Sequence, residues 1–288
     1  MQRPDRQPAG EGFDSEPGGG SPPVPGALSL EPVGGCRIWL LPERAVCLER
    51  VYPPGKSPRS PVAGATASRV LVASDLHLGK SSSFQRRGVA VPHVSAQAEL
   101  DRLAALARAV KADKLVIAGD MFHEGSASRA DVSEALRDVR ASLPATVTLI
   151  LGNHDRGDLS WLATLEINVV RGPVSVHGLT LAHSPAELRG SGSSESRFSP
   201  RSGSGSGSSE SRSNPRSGSG FSSPSEAGAP HSICGHLHPV FTLSDSADRL
   251  RLPCFCLAGG VLIQPAFGSF TGGSAPPPHS SLYAIGDG

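Results

Sequence analysis

The sequence predicts an α/β fold built on a partly parallel sheet, and three observations carry that expectation. First, five short apolar runs each end on Asp, Asn or His, as buried strands bounded by polar turns do. Residues 70–73 lead into Ser74-Asp75-Leu76-His77, 115–118 into Gly119-Asp120, and 147–151 into Gly152-Asn153-His154-Asp155. Residues 179–182 lead into His183, and 232–234 into Gly235-His236-Leu237-His238. Second, helical stripes lie between the first three runs. Third, the resulting strand–helix alternation is the βαβ pattern, whose right-handed crossovers give parallel strands with helices packed against them. Ligands and chemistry collect beyond the carboxyl ends of such strands, so the five runs predict one site made of five loops.

Taken in order, residues 1–34 are rich in Pro and Gly and almost free of large apolar groups, which predicts a disordered N-terminal extension. Residues 35–288 are expected to form one domain around one core. Residues 36–41 and 45–51 flank Pro42-Glu43-Arg44 as the two strands of a hairpin. Residues 53–67 form a loop of Pro, Gly, Ser and Ala before the first motif strand. Residues 95–111 place Leu100, Leu103, Ala107 and Val110 on a helical stripe. Residues 131–143 do the same with Val132, Ala135, Leu136, Val139 and Leu143, and Ser128 and Asp131 stand at capping-box spacing. After Ile167 the helical signal fades, and β-like runs follow at 174–177, 179–182, 250–257, 261–263 and 282–285.

A foreign segment interrupts the motif order. Residues 191–205 (SGSSESRFSPRSGSG) are followed directly by 206–220 (SGSSESRSNPRSGSG), differing only at Phe198/Ser213 and Ser199/Asn214. This is a tandem duplication too short and too polar to build a core, so 190–230 is expected to be a low-complexity Ser/Gly insertion at the surface. A tether or loose cover over the site is the sharper alternative, since both flanks carry site residues.

Composition narrows the class. A net charge of +1 gives no global attraction to polyanions, so any nucleic-acid contact must use a local patch. Five cysteines, odd in number and mostly inside apolar runs, suit buried thiols in a reducing compartment. Cys254 and Cys256, two apart in a strand, share a face and read as core rather than metal ligands. No run approaches the roughly 18 apolar residues of a membrane span, and the N-terminus lacks the apolar core of a signal peptide. A soluble, cytoplasmic protein without membrane partners is expected.

The motif residues carry the chemistry. Asp75, His77, Asp120, Asn153, His183, His236 and His238 offer carboxylate, amide and imidazole without thiolate, a mixture that suits Mn, Fe or Zn. They are too many for one tetrahedral ion but fit two ions sharing a carboxylate. Paired ions about 3.5–4 Å apart clamp the attacking and leaving oxygens of a phosphoryl displacement, with a bridging hydroxide-like water as nucleophile. His154, beside Asn153, is placed to protonate the leaving alkoxide or hold its charge. Each motif alone is weak, since Asp-x-His or Gly-Asp after a strand is common. All five in order, each after an apolar run, are specific. Lys80, Arg86 and Arg87 follow the first motif and favour a polymeric phosphate substrate, though a solvated loop would look the same. His93, His177, His231 and His279 read as ordinary histidines.

The series Asp75-x-His77, Gly119-Asp120, Gly152-Asn153-His154-Asp155, His183 and Gly235-His236-x-His238 resembles the calcineurin-like metallophosphoesterase superfamily over residues 68–265, less the insertion. That resemblance implies a four-layer α/β sandwich, with mixed sheets flanked by helices, and a di-metal site. It implies that Asp75, His77, Asp120 and His238 hold one ion, that Asp120 bridges to the other with Asn153, His183 and His236, and that His154 is the catalytic histidine. His123 stands where the superfamily's phosphoprotein phosphatases carry an Asp that orients this histidine, and the form present resembles the nuclease branch. Residues 75–80 (DLHLGK), 84–92 (FQRRGVAVP), 252–255 (LPCF) and 265–273 (PAFGSFTGG) resemble the bacterial ligase-associated DNA-damage-response endonucleases. The expected protein is then a DNA endonuclease of repair with two divalent ions, Mn²⁺ favoured, associated with an ATP-dependent DNA ligase. A phosphomonoesterase or small-nucleotide phosphodiesterase with the same site is the alternative. A non-catalytic scaffold is disfavoured by the intact ligand set.

Overall fold

A computed structural model describes residues 21–51, 68–188, 229–245 and 248–286. The first sheet opens with β1 (Leu28–Val33), β2 (Cys36–Leu41) and β3 (Ala45–Arg50), paired antiparallel. β3 pairs antiparallel with β4 (Arg69–Ala73), after which β5 (Lys114–Ala118), β6 (Thr146–Ile150) and β7 (Ile167–Val170) add in parallel. The crossovers hold α1 (Lys80–Arg86), α2 (Ala96–Ala109), α3 (Ala130–Arg140) and a 3₁₀ turn at Ser160–Leu165. A second sheet follows the order β11 (Val240–Ser244), β12 (Arg249–Ala258), β13 (Val261–Ile263), β10 (Ser232–Cys234), β9 (Leu179–Leu181) and β8 (Val174–Val176), with β14 (Ser281–Ala284) also on β12. Between β9 and β10 a single helical turn, α4 (Pro185–Leu188), is described.

Period-two alternation sorts the strand residues into two cores. Leu71, Leu115 and Val147 of the first sheet pack with Leu100 and Leu103 of α2 and Val132 and Leu136 of α3. The other face, with Val70, Val72, Val116 and Ile150, meets Leu179, Leu181, Ile233, Phe255, Leu257 and Leu262 of the second sheet. Outside the second sheet lies a small cluster of Cys234, Cys256 and Ile263, with Leu188 of α4 against it. Two mixed sheets therefore face each other between helices, as expected, and the outer layer over the second sheet is α4 among the described residues. All five cysteines are free and buried. No helix among the described residues is long and apolar enough to cross a membrane.

Three expectations need correction. The disordered extension does not run to residue 34, because β1 is a strand from residue 28. Its Gly34-Gly35 turn has φ of +56° and +78°, which is what a two-residue hairpin with primed-turn geometry demands. The strand alternates too: Leu28 is exposed while Leu30 is buried beside its register partner Ile38. Pro/Gly-rich composition hid a short amphipathic strand. The capping box at α3 is absent. Arg129 occupies the cap, Ser128 Oγ donates to the Gly125 carbonyl, and the Asp131 carboxylate takes the Arg129 guanidinium at 2.6 Å. α1 and β11 went unforeseen, α1 because Lys80-Ser-Ser-Ser-Phe-Gln-Arg offers Phe84 alone as a large apolar residue. α2 is as expected, with Ser95 Oγ accepting the Ala98 N–H at 3.1 Å. The N-terminal residues 1–20, the loop at 53–67 and the Ser/Gly insertion up to residue 228 lie outside the described residues.

Leu30→Ala should lower the unfolding free energy by about 2 kcal/mol, the lower end for a buried leucine. Urea denaturation measures this, and an unchanged midpoint would mean that β1 adds nothing to the core.

Candidate metal centre

β4, β5 and β6 are parallel, so their carboxyl ends share one sheet edge, and the loops leaving them keep pairing beyond the strands. The Asp75 N–H donates to the Gly119 carbonyl, the His77 N–H to Asp120 and the Leu78 N–H to Met121. This edge ladder delivers Asp75, His77 and Asp120 side by side. β9 and β10 of the facing sheet bring His183, His236 and His238 to the same place.

The donors meet in two groups. Asp75, His77 and His238 form one, and Asp120, His183 and His236 the other, the ligand atoms in each within 4.8 Å of one another. In the first, Asp75 Oδ1 stands 3.2 Å from His238 Nε2, which is 3.4 Å from His77 Nε2. In the second, His183 Nε2 lies 3.5 Å from Asp120 Oδ2, 3.0 Å from His236 Nδ1 and 3.0 Å from Asn153 Oδ1. Asp120 Oδ2 is also 4.0 Å from His77 Nε2, so one carboxylate faces both groups. All seven sequence-derived ligand candidates therefore converge.

The donor set fits divalent ions. Asp75 Oδ1 is fully buried yet makes no hydrogen bond, despite its approach to His238. His183 Nδ1 sits 3.2 Å from the Ala118 carbonyl, which fixes its proton there and leaves the Nε2 lone pair pointing at its neighbours. Burial, with the Lys80 charge, pushes the His77 imidazole down to about 3, so it stays neutral as a metal ligand must be. Burial would raise the Asp75 carboxyl, but His238, His183 and the His236 N–H hold it below its ordinary value.

Backbone geometry is tuned to this convergence. Asp75, His77, Asp120, His236 and His238 all adopt left-handed backbone, with φ between +46° and +72°. That conformation costs a non-glycine residue about 1–2 kcal/mol, and its concentration here marks a site rather than a set of turns. Two motif glycines serve close approach. A Cβ on Gly152 would fall onto the Asp120 carboxylate, and one on Gly235 onto Asp75 Oδ2 and Ser74 Oγ.

The family model described as calcineurin-like phosphoesterase matches residues 68–202. Among solved structures, the crystal structure of the nuclease MPE from Pseudomonas putida aligns over 90% of this chain and 96% of that chain, with 28% identity and a TM-score of 0.56. No curated protein sequence matches the chain.

Over residues 68–202 the chain is similar to the calcineurin-like phosphoesterases.

It is a metal-dependent phosphoesterase, and the family that residues 68–202 match uses divalent metals. In this phosphoesterase His154 stands at the rim of the first group, its ring 5.1 Å from that of His77 and its N–H donating to Asp120 Oδ1 at 2.8 Å. His123 stacks on it at 5.7 Å and 21°. His123 is itself buried, and that burial together with the Lys80 charge lowers its basicity. Lys80 is half-buried at the start of α1, and the carboxylates of Asp75 and Asp120 act on it. Arg87 is exposed, with its charge felt at His123, whereas Arg86 donates to Ser83 Oγ at 3.0 Å.

Sequence reasoning missed two supports of the phosphoesterase site. The first is Asp155, beside the motif histidine: its Oδ1 accepts the Phe122 N–H and its Oδ2 the Gly152 N–H, both at 2.9 Å. It thereby ties the loops after β5 and β6 together, although burial pushes its carboxyl up to about 6 against those two donors. The second is the segment after β13. Phe267 N–H donates to Ser74, Gly268 N–H to Asp75, and Ser269 N–H to Glu99 of α2 at 2.8 Å. Arg102 lies 3.7 Å over the Phe267 ring and also donates to the Phe267 carbonyl. A Glu-x-x-Arg pair on an amphipathic helix gives no local sign of this role.

Asp155→Ala should cost about 2–4 kcal/mol, because it orphans two backbone N–H groups that it now satisfies. It should also reduce phosphoesterase turnover by loosening Asp120 and Asn153. Thermal melts and steady-state assays read the two effects, and normal stability with normal turnover would remove Asp155 from the site's support.

Proposed function

We propose that this phosphoesterase is a di-metal phosphodiester hydrolase that cuts DNA as an endonuclease. The observation that carries the reading is the pair of three-ligand groups meeting at Asp120. Asp75, His77, His238 and Asp120 would hold one ion, and Asp120, Asn153, His183 and His236 the other. Bound divalent ions would supply a nucleophilic water at neutral pH and neutralise charge on the phosphate, with Mn²⁺ favoured and Fe or Zn compatible with the donors.

The chain's own groups do the rest. Asp120 positions His154 through its backbone N–H, and His77 and His123 confine the ring on two sides. His154 is thereby held to protonate the leaving oxygen or stabilise its charge. Lys80 and Arg87 supply local positive charge for the flanking phosphates, which a chain of net charge +1 cannot supply globally. DNA as substrate is supported by the likeness to a nuclease over 96% of that chain and by His123 in place of a carboxylate. A repair role alongside an ATP-dependent DNA ligase follows from the ligase-associated resemblance of residues 265–273, and a cytoplasmic location from five free, buried thiols.

Asp120→Asn should lose activity and bind fewer ions, because one carboxylate serves both groups; two ions still tightly held in the variant would contradict the bridge. His154→Ala should keep its metal content while turnover falls by about 10²–10⁴-fold, the usual range for an acid–base group. Metal analysis beside initial rates separates the two. The substrate test is Mn²⁺-loaded protein on a phosphodiester reporter, a phosphomonoester reporter and single- and double-stranded DNA. Vigorous monoester hydrolysis with every nucleic acid left intact would place the protein among phosphomonoesterases.

A further inference from the structure

A row of rings leads away from the metal centre. His77 touches His154 and His123, with centroids 5.1 and 6.1 Å away, and His123 stacks on His154. Beyond His123 comes Phe84 of α1 at 6.2 Å, tilted by 37°, and beyond Phe84 comes Phe270 at 5.8 Å, edge to face. The two phenylalanines differ from Phe122 and Phe267, which are fully buried in the core. Phe84 and Phe270 are only half-buried, on the surface beside a polar site. A narrow crevice lined by His77, Lys80, Ser95 and Phe270 borders the row.

Charge accompanies the rings. Lys80, Phe84 and Arg87 are spaced by four and three residues, which places them along one face of α1 and its cap. The fold also spends contacts on holding Phe270 there: Glu99 fixes Ser269, the Thr271 hydroxyl donates to the Gly268 carbonyl at 3.1 Å, and Arg102 packs on Phe267. Aromatic faces interleaved with cations along a groove are the chemistry that binds unpaired nucleobases, whose π-faces stack while the phosphates meet the positive charge.

We infer that Phe84 and Phe270, with His123 as the inner ring, form a stacking subsite for an unpaired nucleobase next to the scissile phosphodiester. The inference rests on the nuclease reading and deepens it. A base paired and stacked within a duplex has no free face for these rings, so the subsite selects for single-stranded or frayed substrate. Stacking reads every base alike, so the selection is for the presence of a base and not for its identity.

The test compares an intact single-stranded oligonucleotide with one carrying a single abasic site, scanned across positions flanking the cleaved bond. The Mn²⁺-loaded protein should cleave the intact strand with kcat/KM about 10-fold higher than the strand lacking the stacked base, in the range measured for base–aromatic stacking. In the Phe84→Leu/Phe270→Leu double variant, which retains apolar volume, that ratio should collapse toward one at the same position. Metal content and melting temperature, measured in parallel, establish that the variant is folded and loaded; if it is not, the single variants Phe84→Leu and Phe270→Leu are read in the same way. An abasic ratio that is the same in protein and variant, or that is one already in the unsubstituted protein, overturns the subsite while leaving the nuclease reading intact. Hydrolysis of a small phosphodiester without cleavage of any oligonucleotide overturns the nuclease reading and the subsite together.

Discussion

Two carboxylates buried at the ends of adjacent strands set the terms for this molecule. Asp75 is 0% and Asp120 2% exposed. Removing a charge of that size from water costs several kcal/mol unless partners replace the lost solvation. The partners come from the motif loops themselves: the His236 N–H bonds Asp75 and the His154 N–H bonds Asp120. Each anion thus orders the loop that carries another candidate site histidine, and imidazoles converge on the same oxygens in a donor set that could hold a cation. Packing, backbone strain and chemistry all follow from that one electrostatic demand.

Holding five residues in left-handed backbone against this demand requires a stiff frame. Close-packed interiors supply it, because they resist small displacements. The first sheet is clamped between the α2/α3 core and the second sheet, and its strand pairing extends past the strands into the loops. Asp155 links two of those loops from within, and the segment at residues 267–269 links the first of them to α2. The proposed substrate contacts have a separate address. α1 starts immediately beyond the first motif, so Lys80, Phe84 and Arg87 are carried on an element whose position the metal centre already determines.

Much of this was legible in the linear order of residues. Apolar runs ending in Asp, Asn or His are local patterns, because a buried parallel strand must be apolar and a ligand must stand just past its end. α2, with Ser95 at its start and leucines at helical spacing, was equally local. β1 was lost because composition averaged over Pro and Gly concealed a two-glycine hairpin turn. α1 was lost because three serines and one phenylalanine carry no periodicity, and its Ser81 is held by Val94, thirteen residues on, at 2.7 Å. The capping box at α3 matched in spacing, yet Arg129 competed successfully for the Asp131 carboxylate.

The sequence by itself determined the α/β class, the strand ends that bear the seven candidate ligands, and His154 beside them, since each depends on neighbours a few positions apart. The family resemblance had implied which ligands share a group, but only tertiary structure brings them together, because His238 reaches Asp75 and His183 reaches Asp120 across the gap between two sheets. Tertiary structure also decided that Asp155 is a clamp, that Glu99 and Arg102 anchor a segment some 165 residues away, and that His123, Phe84 and Phe270 stand in one row. The physical reason is common to all of these. Strand and helix formation respond to local periodicity, whereas convergence of polar groups is fixed by sheet packing and by charges that must find partners wherever the fold brings them.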